Sequence, residues 1–235
     1  MLMCGRFSIT TAPEAMRAIF DYENIPNLEP RFNVAPTQPI ITIRMNDSGT
    51  RMLEMARWGL IPSWSKDGTA AAKMINARGE TLSEKPSFRE AFQQRRCLIP
   101  ADGFYEWRME NGKKQPFRIG MKGGGVFAFA GLWESWRAKQ DGYGYEEGDD
   151  VETVTIVTTD ANDKLRPIHH RMPVILSPED YAAWLDPAND VTKCRELIKP
   201  YLVERMAFYR VGTFVNNARN DDARCIEPLK IAKSG

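Results

Sequence analysis

Apolar residues along this chain fall mostly into short runs of strand length, and that pattern is the first guide to its fold. The segments GRFSIT, IITIRM, RMLEMARWGLI, CLIP, FYEWR, QPFRIGM, VFAFAGLW, ETVTIVT, MPVILS and MAFYRV alternate apolar with polar positions or run apolar throughout. ENGKKQ separates two of them, and its Asn111–Gly112 pair tolerates the positive φ angles of a tight turn, which predicts a hairpin. Helical spacing is rarer. Residues 13–20 (PEAMRAIF) carry proline in the first turn and follow Thr10 and Thr11, either of which suits a helix start. SFREAFQQ near residue 90, SPEDYAAWL with Ser177 as N-cap, and TKCRELIKPYL are the other helical patterns. Strands that succeed one another without helices between them pair antiparallel. The expected fold is therefore α+β, a single domain over residues 1–235 with a curved, barrel-like, mainly antiparallel sheet and peripheral helices.

Composition narrows the class. A chain of 235 residues, 43% hydrophobic and 27% charged, buries one substantial core. No apolar run reaches the roughly 18 to 20 residues that span a bilayer, and no secretory leader is evident, so the expectation is an intracellular protein, cytoplasmic or nucleoid-associated, with no membrane partner. Cys4, Cys97, Cys194 and Cys225 are far apart and form no C-x-x-C pair, which argues against disulfides and zinc and for reduced thiols. The net charge of +1 hides an asymmetry: residues 141–152 (DGYGYEEGDDVE) hold six acids and no lysine or arginine, so the remainder carries +7. That stretch reads as an acidic surface loop on a basic body.

A few residues stand out chemically. Cys4 lies where burial is difficult, near a chain end, which favours chemistry over packing. His169 and His170 are the two histidines of the chain, adjacent in RPIHHRMPVIL. On extended backbone they face opposite sides, and either packing or catalysis suits one of them. Glu106, between Tyr105 and Trp107, is either a solvated strand carboxylate or, if desolvated, a general acid. In INARGE, Asn76 and Arg78 share one face of an extended segment; in RFNVAPTQP, Asn33 sits among turn formers. Trp58 and Trp64 flank GLIPS, where they either pack or stack on exposed bases.

Taken in order, CGRF, RFNVAPTQ, RWGLIPSW, INARGE, ADGFYEW, KKQPF, AGLWE, VTTDAN and IHHRMPVIL resemble the SOS response-associated peptidase (SRAP) family over nearly the whole chain. The resemblance implies recognition of abasic sites in single-stranded DNA and covalent attachment through an N-terminal cysteine, by a monomer without metal or organic cofactor. Matched motif by motif, it assigns catalytic roles to Cys4, Asn76, Glu106 and His169, and DNA contacts to Arg6, Asn33, Trp58, Trp64, Arg78 and Thr158. The start departs from the family pattern: Met1 and Leu2 precede Met3, so residues 1–3 must be removed before Cys4 is terminal. Only then does cysteine offer both an amine and a thiol, because an amide nitrogen is not nucleophilic. Two other readings stay open, an N-terminal-nucleophile cysteine peptidase or amidohydrolase, and a non-catalytic single-stranded DNA-binding module.

Overall fold

The computed structural model describes residues 5–24 and 26–229. The chain enters on β1 (Phe7–Ile9), buried along its whole length. α1 (Pro13–Phe20) matches the sequence pattern: proline sits where no intrahelical donor is required, and Met16 and Phe20, four apart, form the buried stripe. Its N-cap is Ala12, without a side-chain bond. Thr10 is unavailable because its N–H and hydroxyl both donate to Asp102.

In chain order there follow β2 (Arg31–Val34), β3 (Pro39–Met45), β4 (Arg51–Trp58), β5 (Asn76–Arg78), α2 (Pro86–Gln94), β6 (Arg96–Ala101) and β7 (Gly103–Glu110). The chain continues through β8 (Lys113–Met121), β9 (Phe127–Arg137), β10 (Asp150–Asp160), β11 (Arg171–Pro173), β12 (Ile175–Leu176), α3 (Tyr181–Leu185), α4 (Val191–Glu196) and β13 (Met206–Arg210). Neither α3 nor α4 fills its expected span. A 3-10 turn at Pro178–Asp180 takes the place of the first helical turn after Ser177. α4 starts from Asp190, whose side chain accepts from Thr192 N–H, and stops before Pro200, which disfavours helical backbone at the residue before it.

Five strands close on themselves in the order β10, β4, β3, β6, β9 and back to β10. Closure leaves those strands without free edges. All neighbours in this barrel are antiparallel except β10 and β4, and β5 also runs parallel to β10, so the antiparallel expectation holds for most of the sheet but not at β10. The run MPVILS divides at Val174, whose N–H donates to Val157 on β10 while its carbonyl accepts from Ala130 on β9. A second, antiparallel sheet has the order β13, β8, β7, β1, β2. Its β7–β8 hairpin turns at Asn111 (φ 49°) and Gly112 (φ 75°), both positive as a type I′ turn requires.

Aromatic rings hold the barrel and the second sheet together. Phe7 on β1 and Phe104 on β7 lie 5.9 and 6.0 Å from Phe129 on β9, edge to face. Each such pair adds about 0.5–1.5 kcal/mol beyond the area it buries. Between β9 and β10 the acidic loop is exposed at Asp141, Glu146, Glu147 and Asp149, yet anchored through Tyr145, which packs on Trp136 at 5.5 Å and accepts from Arg57. No helix of the described residues is long and apolar enough to cross a membrane.

The apolar run after β4 bends because of Gly59. Its φ is 131°, and a Cβ there would stand 2.4 Å from the carbonyl oxygen of Ala71. Gly59→Ala should therefore lower stability by more than about 2 kcal/mol, combining backbone strain with a backbone clash. Chemical denaturation of the two proteins measures this difference.

Candidate active site

Glu106 stands on β7, next to the strand that carries the chain start. Phe7 pairs with Phe104 and Ser8 with Gly103 in an antiparallel register, and Tyr105 N–H donates to the Arg6 carbonyl at 3.0 Å. Carried two residues beyond Phe7, the same register faces Gly5 with Glu106. Glu106 is only 2% exposed, so the solvated strand carboxylate is not what the fold contains. Cys4 and residues 1–3 lie outside the described residues.

A second group of candidate residues gathers on the barrel. β5 pairs in parallel with β10, placing Asn76 opposite Ile156, Ala77 opposite Val157 and Arg78 opposite Thr158. Ala77 is buried while Asn76 is half-buried and Arg78 exposed, as alternation along a strand demands. Beyond β10, Asp160 pairs with Arg171 on β11. Arg171 grips Glu80 through both terminal nitrogens, with Nη2 to Oε2 at 2.7 Å, and also bonds Asp160 and the carbonyl oxygen of Thr158. One guanidinium thus clamps the segment after β5 to β10 and to the turn that carries the histidines.

The histidines are not on opposite faces of a strand. Residues 163–168 form successive turns, extended backbone begins only at Arg171, and the two rings stack with centroids 4.5 Å apart and planes 23° apart. They are distinguished by burial instead: His169 is 7% exposed, whereas His170 is open to solvent. His169 Nδ1 accepts the Arg171 N–H at 3.1 Å, which leaves the proton of the neutral ring on Nε2. Burial, reinforced by the charge of the neighbouring His170, holds His169 below the usual histidine value. It is a neutral imidazole near pH 7, able to donate from Nε2.

One tryptophan joins the two groups. Trp58 is fully buried, its ring lies 5.3 Å from Phe7, and its Nε1–H donates to the Ile75 carbonyl at 2.9 Å, one residue before Asn76. Trp58, which the family motifs assign to DNA contact, is thus enclosed on both faces of its ring. Asn33 and Thr158, assigned to DNA contact by the same motifs, are buried as well. Asn33 is wholly buried, donating to the carbonyls of Val215, Asn217 and Asn220 and accepting from Arg6. Thr158 is also wholly buried, with its hydroxyl on the Ala77 carbonyl. Both organise backbone beneath the surface. Trp64, 60% exposed, and Arg78 are accessible; Arg6 is partly so, with Nη1 held by Asn33 and the Val215 carbonyl and Nη2 on the Asn216 carbonyl.

Other features limit the chemistry. Cys97, Cys194 and Cys225 are free and buried, and burial pushes their thiols up, Cys97 to about 12, so none of these three is poised as a thiolate nucleophile. Among the described residues no three His, Cys, Asp or Glu side chains converge as metal ligands. A cleft of about 340 Å³, walled by Ile9, Met16, Leu28, Ile40 and Met55, contains none of the candidate residues. Sequence reasoning missed Arg171 and Glu80, which hold the site's backbone, and Asp102, which holds β1. All three lay inside quoted motifs, but no local signal marks a long-range ion pair.

Over residues 3–218 the chain matches the family model described as SOS response associated peptidase (SRAP). The chain belongs to the SRAP family. Relatives include abasic site processing protein YoqW of Bacillus subtilis, 44% identical across 96% of this chain and 99% of its own. Abasic site processing protein HMCES of Gallus gallus is 30% identical across 97% and 79%. The fold is similar to that in the crystal structure of a protein from Bacteroides thetaiotaomicron, 29% identical, with a TM-score of 0.85 over 96% of this chain and all of that one.

His169 gives this SRAP protein a pH signature. Its folded value lies below the 6.5 of a free histidine, so between the two values the unfolded chain binds more protons than the folded one. The stability involved is complete above about 6.5 and is lost as pH falls toward the folded value. His169→Asn should therefore lose less stability than wild type between pH 7 and pH 5. Denaturant midpoints at the two pH values provide the comparison.

Proposed function

We propose that this protein captures abasic sites in single-stranded DNA, bonding to the opened deoxyribose through the amine and thiol of Cys4 once residues 1–3 are gone. The observation that supports the reading is the β1–β7 register, which carried past Phe7 sets Gly5 opposite the buried Glu106. The names of the relatives supply the substrate class.

The chemistry is a condensation without redox change. The α-amine, with an ordinary pKa of about 7.7–8.0, is largely neutral near pH 8 and adds to the aldehyde carbon. Glu106 takes the proton released by nitrogen and returns it to the departing hydroxyl, so one water leaves and a Schiff base remains. The thiol of the same residue then adds across the C=N bond, and the five-membered thiazolidine ring closes. Asn76, on β5, orients the cysteine through its amide. His169, neutral with its proton on Nε2, hydrogen-bonds the sugar ring oxygen and steadies it as it takes up the proton that the anomeric hydroxyl loses when the hemiacetal opens. Arg6 and Arg78 meet phosphates, and Trp64 offers a face to an unpaired base. In the same reading Glu106 assists cleavage of the bond before Cys4, a self-processing event that accords with the peptidase in the family's description.

Incubation with a single-stranded oligonucleotide bearing one abasic site should give an adduct that survives heat and denaturant and has lost one water by mass. Cys4→Ser keeps an amine but lacks the sulfur, so it should yield only a species trapped by borohydride. A heat-stable adduct from the serine variant at wild-type yield would overturn the ring.

The two histidines should separate in single-turnover rates. His169→Ala should slow adduct formation by about 10²-fold with noncovalent binding retained, as loss of a group that assists proton transfer predicts. His170→Ala, an exposed position, should stay near wild type. The reverse order would reassign the site.

A further inference from the structure

Asp102 and Arg118 form a buried polar cluster that none of the steps above uses. Asp102 is the single residue between β6 and β7. Its Oδ1 accepts from the Ser8 hydroxyl at 2.6 Å, and its Oδ2 accepts from the N–H and hydroxyl of Thr10 at 2.5 and 2.6 Å. Its own N–H donates to the Ser8 carbonyl at 2.9 Å. Arg118 on β8 completes the cluster, with Nη2 2.9 Å from Asp102 Oδ1 and 3.1 Å from Ser8 Oγ, and Nη1 on the hydroxyl of Tyr209. The two charged side chains are 9% and 12% exposed. Backbone is kept bare to admit them: a Cβ on Gly103 would stand 2.5 Å from the guanidinium carbon of Arg118, and one on Gly120 would stand 2.9 Å from the Asp102 carbonyl oxygen.

Net stability does not explain this arrangement, because a buried ion pair about breaks even against an apolar replacement of the same shape. Register does. β1 has only three residues, and its pairing with β2 is irregular, Phe7 matching Val34 but Ile9 matching Arg31. A slip of one residue would reverse every side chain of such a strand. Asp102 grips Ser8 and Thr10 at once, and a slip would break both holds.

The geometry points to Asp102, braced by Arg118, as a positioning residue that sets the register of the N-terminal strand and hence the reach from the amine of Cys4 to Glu106. This rests on the function proposed above for that pair. Asp102 touches no reacting atom, so its loss should lower the limiting rate of adduct formation and leave DNA affinity alone.

The test is single-turnover reaction with an abasic single-stranded oligonucleotide over a range of concentrations, for wild type, Asp102→Asn, Ser8→Ala and Phe92→Leu. Phe92, buried against Trp184 at 6.0 Å between their rings, serves as a stability control remote from β1. Asp102→Asn should lower the limiting rate by about 10- to 100-fold, the order expected for a displacement near 1 Å, with half-saturation changed by less than about 3-fold. Phe92→Leu should unfold earlier yet keep the wild-type limiting rate. Should Asp102→Asn not fold, the combined Ser8→Ala and Thr10→Val variant decides, with a lowered limiting rate expected. A wild-type rate in the folded Asp102 variant, or failing that in the double variant, overturns the inference, as does an equal loss in Phe92→Leu. Cross-strand nuclear Overhauser contacts between Phe7 and Phe104 report the register without DNA. If wild type forms no adduct, the functional reading fails. The positioning role then stands or falls on whether those contacts shift in Asp102→Asn and persist in Phe92→Leu.

Discussion

The burial of a three-residue strand near the chain start is the constraint from which the rest of this molecule follows. β1 is too short for its ladder bonds alone to hold it, since strand ends fray and short pairings open first. It is held by what its side chains meet: Phe7 against Trp58 and Phe129, Ser8 and Thr10 against Asp102. Through Phe7 the strand joins the second sheet to the closed barrel, and through Trp58 it reaches the residue before Asn76. β1 thus lies between the strand that carries Glu106 and the tryptophan bonded to the residue before Asn76.

Several arginines of this protein are spent indoors. Arg96 donates to the carbonyls of Phe92, Gln93, Trp184 and Asp186, tying α2 to α3. Arg118 and Arg171 serve carboxylates and backbone, and Arg44 lies 4.2 Å over the ring of Trp133 while paired with Glu152. Guanidinium suits these positions because it offers several donors in a plane and is less strongly hydrated than an ammonium. The surplus outside residues 141–152 therefore overstates the charge available to phosphates. Arg78 is exposed, and Arg6 is shared between solvent and the carbonyls of residues 215–216.

That division shapes the candidate site. Buried Asn33, Thr158 and Arg171 hold backbone and neighbouring side chains in place, and Arg171 also holds the ring of His169 through its backbone N–H. Side chains that hold others rigid while only a few face the solvent suit a site whose reaction depends on alignment more than on strong acids or metals.

By itself the sequence determined the alternation of strands, the hairpin at Asn111–Gly112, the helix over residues 13–20, the α+β class and the family, because these depend on local periodicity, turn chemistry and ordered motifs. It singled out Cys4, Asn76, Glu106 and His169 by residue type and setting, and joined them as one catalytic set only through the family motifs. What tertiary structure decided was which side of each residue meets water. Trp58 and Trp64 occupy one short motif, yet one is sealed in the core and the other is 60% exposed. The two histidines stack because the chain there turns before it extends. Asp102 acquires its partners from residues more than ninety positions earlier and from Arg118 across a hairpin. Burial and long-range pairing depend on how the barrel closes and on which strands lie side by side, and no window of local sequence contains that information.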